Sequence, residues 1–118
     1  MTPLQAADEM RRLSQQLDEA LADLEAQVTE YADAERCYRQ AKAMAWVSTA
    51  KGTVAEREAV VNSVTSDERH RRDLADGMRQ AALESVRSRR AQISALQTLM
   101  NGHRAEAEYV RTGPGVAA

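Results

Sequence analysis

Along the first third of the chain, apolar side chains return every seven residues. Met10, Leu17, Leu24, Tyr31, Tyr38 and Ala45 form one row, and Ala7, Leu21 and Val28 form a companion row three residues earlier, interrupted by Ser14, Glu35 and Lys42. That spacing puts the apolar positions on one stripe of an α-helix that must be covered by another helix. Thr2 can cap free amides and Pro3 suits a first helical position. The pattern predicts a helix over about 3–48, roughly 70 Å long at 1.5 Å per residue.

The corner that follows spans 49–53, with Gly52 placed to end the first helix. Thr53 to Glu56 then fits a capping box, so a new helix begins at Val54. Thr65-Ser66-Asp67-Glu68 repeats that start signal. Two outcomes are open: a short helix over 54–64 and then a break, or one helix carrying polar residues there.

From about 66 to 110 the heptad returns, with Val86, Ile93, Met100 and Ala107 in one row and Ala75, Ala82, Leu96 and Val110 in the other, intruded on by Arg79, Arg89 and His103. Gly77 falls inside this helix and costs about 1 kcal/mol relative to Ala, which points to a close crossing or a bend. Asn101-Gly102 is a candidate stop, although Ala105-Glu106-Ala107-Glu108 can carry the helix further. Residues 112–118 read as a flexible tail. The expected fold is all-α: one helical domain over 1–111, a long antiparallel coiled-coil-like hairpin that assembles into an oligomer.

Composition agrees with long helices and argues against a self-sufficient globular core. The 118 residues are 29% charged, lack Phe, and hold Pro only at 3 and 114. The net charge of -2 hides an asymmetry. Residues 1–35 carry nine acidic and two basic side chains, whereas 36–57 carry five basic and one acidic. With Cys37 as the single cysteine and no long apolar run, a reducing, cytoplasmic setting without membrane spanning is expected.

Catalytic chemistry finds little footing. His70 and His103 are far apart, no cysteines cluster, and Lys51-Gly52-Thr53 lacks the upstream glycines of a phosphate loop. We expect no enzyme, no metal and no cofactor. The stretch where cations and large aromatics coincide is 35–58. Arg36, Arg39 and Lys42 share roughly one helical face, Tyr38 and Trp46 flank it, and Lys51 and Arg57 follow at the corner. Cations that neutralise phosphates beside aromatics that stack on bases are the equipment of sequence-tolerant single-strand binders. The plainer alternative has Tyr38 and Trp46 plugging the hairpin while the cations are solvated. Arg87, Arg89 and Arg90 form a second basic cluster, explained equally by pairing with Glu30, Asp33 or Glu35.

The run Ala82-Leu83-Glu84-Ser85-Val86-Arg87-Ser88-Arg89, followed by Ile93 and Leu96-Gln97, resembles the C-terminal helix of the UvsY family of bacteriophage recombination mediators. Ala41-Lys42-Ala43, before the Lys51-Gly52 corner, is similar to that family's Leu-Lys-Ala-Arg segment. The resemblance implies a non-enzymatic, ring-forming protein of the host cytoplasm that holds single-stranded DNA and helps a RecA-like recombinase displace single-strand-binding protein. It also implies that Lys42 and Arg36 are DNA contacts and that Val86, Ile93, Leu96 and Met100 are subunit contacts. Met44 stands where the family has Arg, with Arg39 the nearest substitute, and residues 1–35 have no counterpart. The rival expectation is a coiled-coil assembly or adaptor protein that binds only protein.

Overall fold

Local capping chemistry sets the helix starts. In the computed structural model, which describes residues 1–113, Thr2 Oγ1 accepts from the Gln5 amide at 3.2 Å and Gln5 Oε1 accepts from the Thr2 amide at 2.9 Å. This reciprocal box opens helix α1, Pro3–Ser48. The Ala45 carbonyl accepts from Thr49 at 3.0 Å, and Gly52 then turns the chain with φ +105°. That left-handed conformation suits glycine, and a Cβ there would sit 2.6 Å from Glu56 Oε2.

Helix α2, Val54–Val64, starts on the predicted box, with Thr53 Oγ1 accepting from the Glu56 amide at 3.2 Å. Of the two outcomes open near Thr65, the short helix with a break is the one observed. Thr65 is a single buried turn residue whose hydroxyl donates to the Val61 carbonyl at 2.7 Å. Helix α3 follows over Ser66–Thr112. It runs through Asn101-Gly102, so that pair is no stop. Gly77 is exposed and a Cβ there would meet nothing within 4 Å, so no close crossing accounts for it. Thr112, expected to open the tail, is the last residue of α3, and the rest of the expected tail beyond Gly113 lies outside the described residues.

Contacts divide the chain into two compact units, and α1 and α3 contribute to both. One unit, Ala22–Glu84, contains the end of α1, the corner, α2 and the start of α3. The chain folds back on itself here, and the buried residues are small or aromatic: Ala34, Tyr38 and Ala45 from α1, Val61 from α2, Ala75 and Ala82 from α3. The other unit pairs Met1–Leu21 with the chain from Ser85 onward. Its buried residues are Ala6 and Leu13 from α1 and Val86 and Leu96 from α3. An apolar cleft of about 290 Å³ in this unit is lined by Met1, Pro3, Ala6, Leu99, Met100 and His103.

The first row of α1 is covered or partly covered as the heptad predicts, but its companion is not the expected one. Leu21 and Val28 are exposed, while Ala6, Leu13 and Ala34, four residues before the main row, are buried. Both choices are one helical turn away from the main row. The small side chains of the true companion row leave room for bulky groups opposite, and those groups decide the register of the Ala22–Glu84 unit.

Candidate nucleic-acid interface

Two aromatic layers sit in the seam of the Ala22–Glu84 unit. The Arg72 guanidinium lies 4.4 Å from the centre of the Tyr38 ring, and that of Arg79 lies 5.0 Å from the centre of Tyr31. Tyr31 and Tyr38 are seven apart, as are Arg72 and Arg79, so one heptad step on α1 meets one on α3. An arginine held against a ring in this way buries its stem and keeps a cation–ring attraction. Tyr38 is therefore a packed residue of the hairpin, and its ring is not open for a base.

Beside these layers Arg71 ties α3 to α1. Its Nη2 donates to Glu30 Oε1 at 3.0 Å and to Asp33 Oδ2 at 2.9 Å, and Arg72 approaches Glu35 Oε2 at 3.7 Å. Hydrogen bonds from Arg71 and then Arg36 hold the Asp33 carboxyl below its ordinary range. Bonds to Asp33, Glu30 and Cys37 raise the Arg71 pKa further above its already high value. Glu30, Asp33 and Glu35 are thus met from α3 by Arg71 and Arg72, ahead of the basic cluster that the sequence suggested. Arg89 Nη1 instead donates to Gln92 at 3.3 Å. The heptad rows of α3, continued backward from Val86 by sevens, would have found Arg79 and Arg72.

Arg57 is half-buried at the corner and has a specific local task. Its guanidinium donates to the Thr49 carbonyl and, at 3.2 Å, to that of Trp46, and lies 5.1 Å from the indole centre. The last carbonyls of a helix lack intrahelical partners and carry partial negative charge. Arg57 supplies both donors and charge to the end of α1.

The remaining predicted cations are exposed. Arg36 pairs with Asp33 at 2.7 Å and Arg39 with Glu35 at 2.8 Å, each on its own helix, with 68% and 77% of the arginine side chains exposed. Lys42 stands 5.8 Å from the Tyr38 ring centre and Lys51 is exposed on the corner. At 100° per residue Trp46, which is half-buried, falls between Arg39 and Lys42 around the helix, so it lies within the cationic face rather than at its flank, where only Tyr38 stands. Of the four residues expected at subunit contacts, Val86 and Leu96 are covered within the chain itself, and Ile93 and Met100 are half-buried.

The molecule is thus defined as an all-α chain of long packed helices whose concentration of cations is a solvent-facing surface rather than a pocket. Among the described residues no helix is long and apolar enough to cross a membrane, and no three His, Cys, Asp or Glu side chains stand together as a metal site. No protein-family model, curated protein or solved structure matches the chain.

Proposed function

We propose that this chain is a non-enzymatic, oligomeric protein that binds single-stranded DNA through the outer side of the end of α1 and the corner, as a recombination mediator. In this role it helps a RecA-like recombinase replace single-strand-binding protein, in the cytoplasm of a phage-infected bacterium. The observation that carries the reading is the exposed set Arg36, Arg39, Lys42 and Lys51 with Trp46 on the same side of α1 as Arg39 and Lys42. The similarity of 82–97 to UvsY-type mediators points the same way.

Two of these arginines already have carboxylate partners, so the question is whether they would leave them. Exposed ion pairs are worth about 0–1 kcal/mol. A polyanion that releases counterions offers more, because each neutralised phosphate adds to the salt-dependent part of binding. Asp33 keeps Arg71 when Arg36 turns away. Arg57 and Tyr38 drop out of the contact set, since one closes the helix end and the other is packed.

The test is a titration of labelled oligo-dT at low and moderate salt with the wild-type chain and with Arg39→Glu plus Lys42→Glu. Wild type is expected to bind, with a log–log salt slope that grows by about 0.7 for each phosphate contacted on a single strand. The double variant is expected to lose most of that binding while keeping its helicity. Absence of binding at low salt, or a double variant that binds like wild type, overturns the proposal. A protein-only adaptor is the second reading, favoured by the exposure of Met44 and Val47 on α1 and of Val54, Val60 and Val64 on α2.

A further inference from the structure

The covered seam of α2 and early α3 runs through Arg57, Val61, Thr65, Glu68, Arg72, Ala75 and Arg79, all buried or half-buried. The residues one position before each member from Val61 onward form a second row at the same alternating spacing: Val60, Val64, Asp67, Arg71, Leu74 and Met78. This row is open to solvent. Val60 is 46% exposed, Val64 and Leu74 are each 60%, and Met78 is 49%. An uncovered apolar row about 27 Å long on a helical surface is a docking surface in need of an occupant.

The order of residues identifies one. Steps of four, three, four, three and four read the same in either direction, and the chemistry reverses into its complement, with two aliphatics at each end and an acid and a base that exchange places between them. Reversing the row sets Val60 opposite Met78, Val64 opposite Leu74 and Asp67 opposite Arg71. An interface about a two-fold axis requires this property, because the same patch must complement itself. The known bonds of Arg71 to Glu30 and Asp33 run through Nε and Nη2. A guanidinium has five N–H donors, more than the bonds to Glu30, Asp33 and Cys37 occupy, and the Arg71 side chain is 44% exposed, so it can serve a further carboxylate.

We infer that the Val60–Met78 row is a two-fold interface with a second copy of this chain, the two rows lying antiparallel with Asp67 of each copy against Arg71 of the other. The inference names one copy-to-copy surface for the oligomer in the reading above, a contact that by itself closes at two copies, and is independent of whether DNA is bound. It also moves the copy-to-copy contact away from Val86 and Leu96, which the chain covers itself.

Light scattering of the full chain without oligonucleotide is expected to give two copies or a multiple of two. Leu74→Glu with Met78→Glu is expected to halve that mass at unchanged helicity by circular dichroism. A wild-type monomer at the highest workable concentration, or a helical double variant of undiminished mass, overturns the interface. Pairing is read separately by cross-linking in a Cys37→Ser background. Val64→Cys chains mixed with Leu74→Cys chains should form a disulfide-linked dimer on oxidation, while neither does so alone, because only the mixed pair lies opposite across the axis. No mixed dimer, or equal cross-linking of either variant by itself, rejects the antiparallel register even where the glutamate variant has lost its helicity. Because these measurements contain no DNA, they can fail while the oligo-dT titration succeeds, and the reverse.

Discussion

The two units solve the same packing problem with different chemistry. Where Met1–Leu21 meets the chain from Ser85 onward, the buried side chains are aliphatic: Ala6, Leu13, Val86 and Leu96. In the Ala22–Glu84 unit, alanines, a tyrosine and the single larger aliphatic Val61 are buried in the seam, and Arg72 and Arg79 lie against Tyr38 and Tyr31. Aliphatic layers stabilise by area and are indifferent to which neighbour they meet, so a shift by one heptad costs them little. A guanidinium that needs a ring, and a flanking Arg71 that needs Glu30 and Asp33, lose their partners in any other register. The corner unit therefore fixes the alignment of its helices, and the aliphatic unit supplies less specific adhesion.

The largest effect expected of a single change lies on the aliphatic side. Leu13 is 4% exposed, and Leu13→Ala should lower the unfolding free energy by about 2–4 kcal/mol through lost burial and the cavity left behind. Urea denaturation at low and high salt should give the same loss at both, since no charge is involved. Next comes Tyr38→Leu, which keeps an apolar group in the seam but takes the ring from Arg72. We expect a loss of about 1–2 kcal/mol from the missing cation–ring contact and poorer fit, with Tyr38→Phe close to wild type. A Tyr38→Leu protein as stable as wild type would remove the proposed division of labour.

Three of the helix ends, the start and end of α1 and the start of α2, were written plainly in local sequence. Thr2-Pro3, Gly52 and the Thr53–Glu56 pair act within one turn, so short-range chemistry decides them. The choice of companion row on α1 was not legible, because Leu21 and Val28 look more suitable for burial than Ala20, Gln27 and Ala34 do. That judgement reverses only when the opposing residues are known to be arginines on tyrosines. Arg79 reads as an interruption of an apolar row until Tyr31 is placed beside it. At the candidate site the exposed cations were legible from charge spacing, but their pairing with Asp33 and Glu35 on the same helix was not, because by sequence alone those carboxylates match the later arginines of the third helix instead. The role of Arg57 was not, since it depends on where the corner brings the last carbonyls of α1. Asn101-Gly102 failed as a stop for a simpler reason: no Pro follows it, and an exposed glycine costs only about 1 kcal/mol in a helix of 47 residues.

The smallest expected effects compare two carboxylates whose pKa values are both lowered. Glu9 is lowered mainly by its hydrogen bond to Arg12, three residues along the same helix, and Asp33 mainly by Arg71, across from α3 to α1. A carboxyl depressed in the folded state stabilises the fold above its unfolded pKa of about 4 and loses that contribution as pH falls through the lower folded value. Both should therefore leave stability flat from neutral pH down to about 5 and contribute to its decline below about 4. They should differ in size, because an i,i+3 pair also forms in any transient stretch of helix in the unfolded chain, whereas the Asp33–Arg71 pair exists only when the hairpin has closed. Thermal melts between neutral pH and strong acid are expected to show a shallower acid decline for Asp33→Asn than for wild type, and almost no change for Glu9→Gln. Added salt should shrink the Asp33 difference, as both partners are more than two-fifths exposed. Equal curves for the two variants would mean that the cross-helix pair adds nothing a single helix does not already hold, and register would then rest on the arginine–tyrosine layers alone.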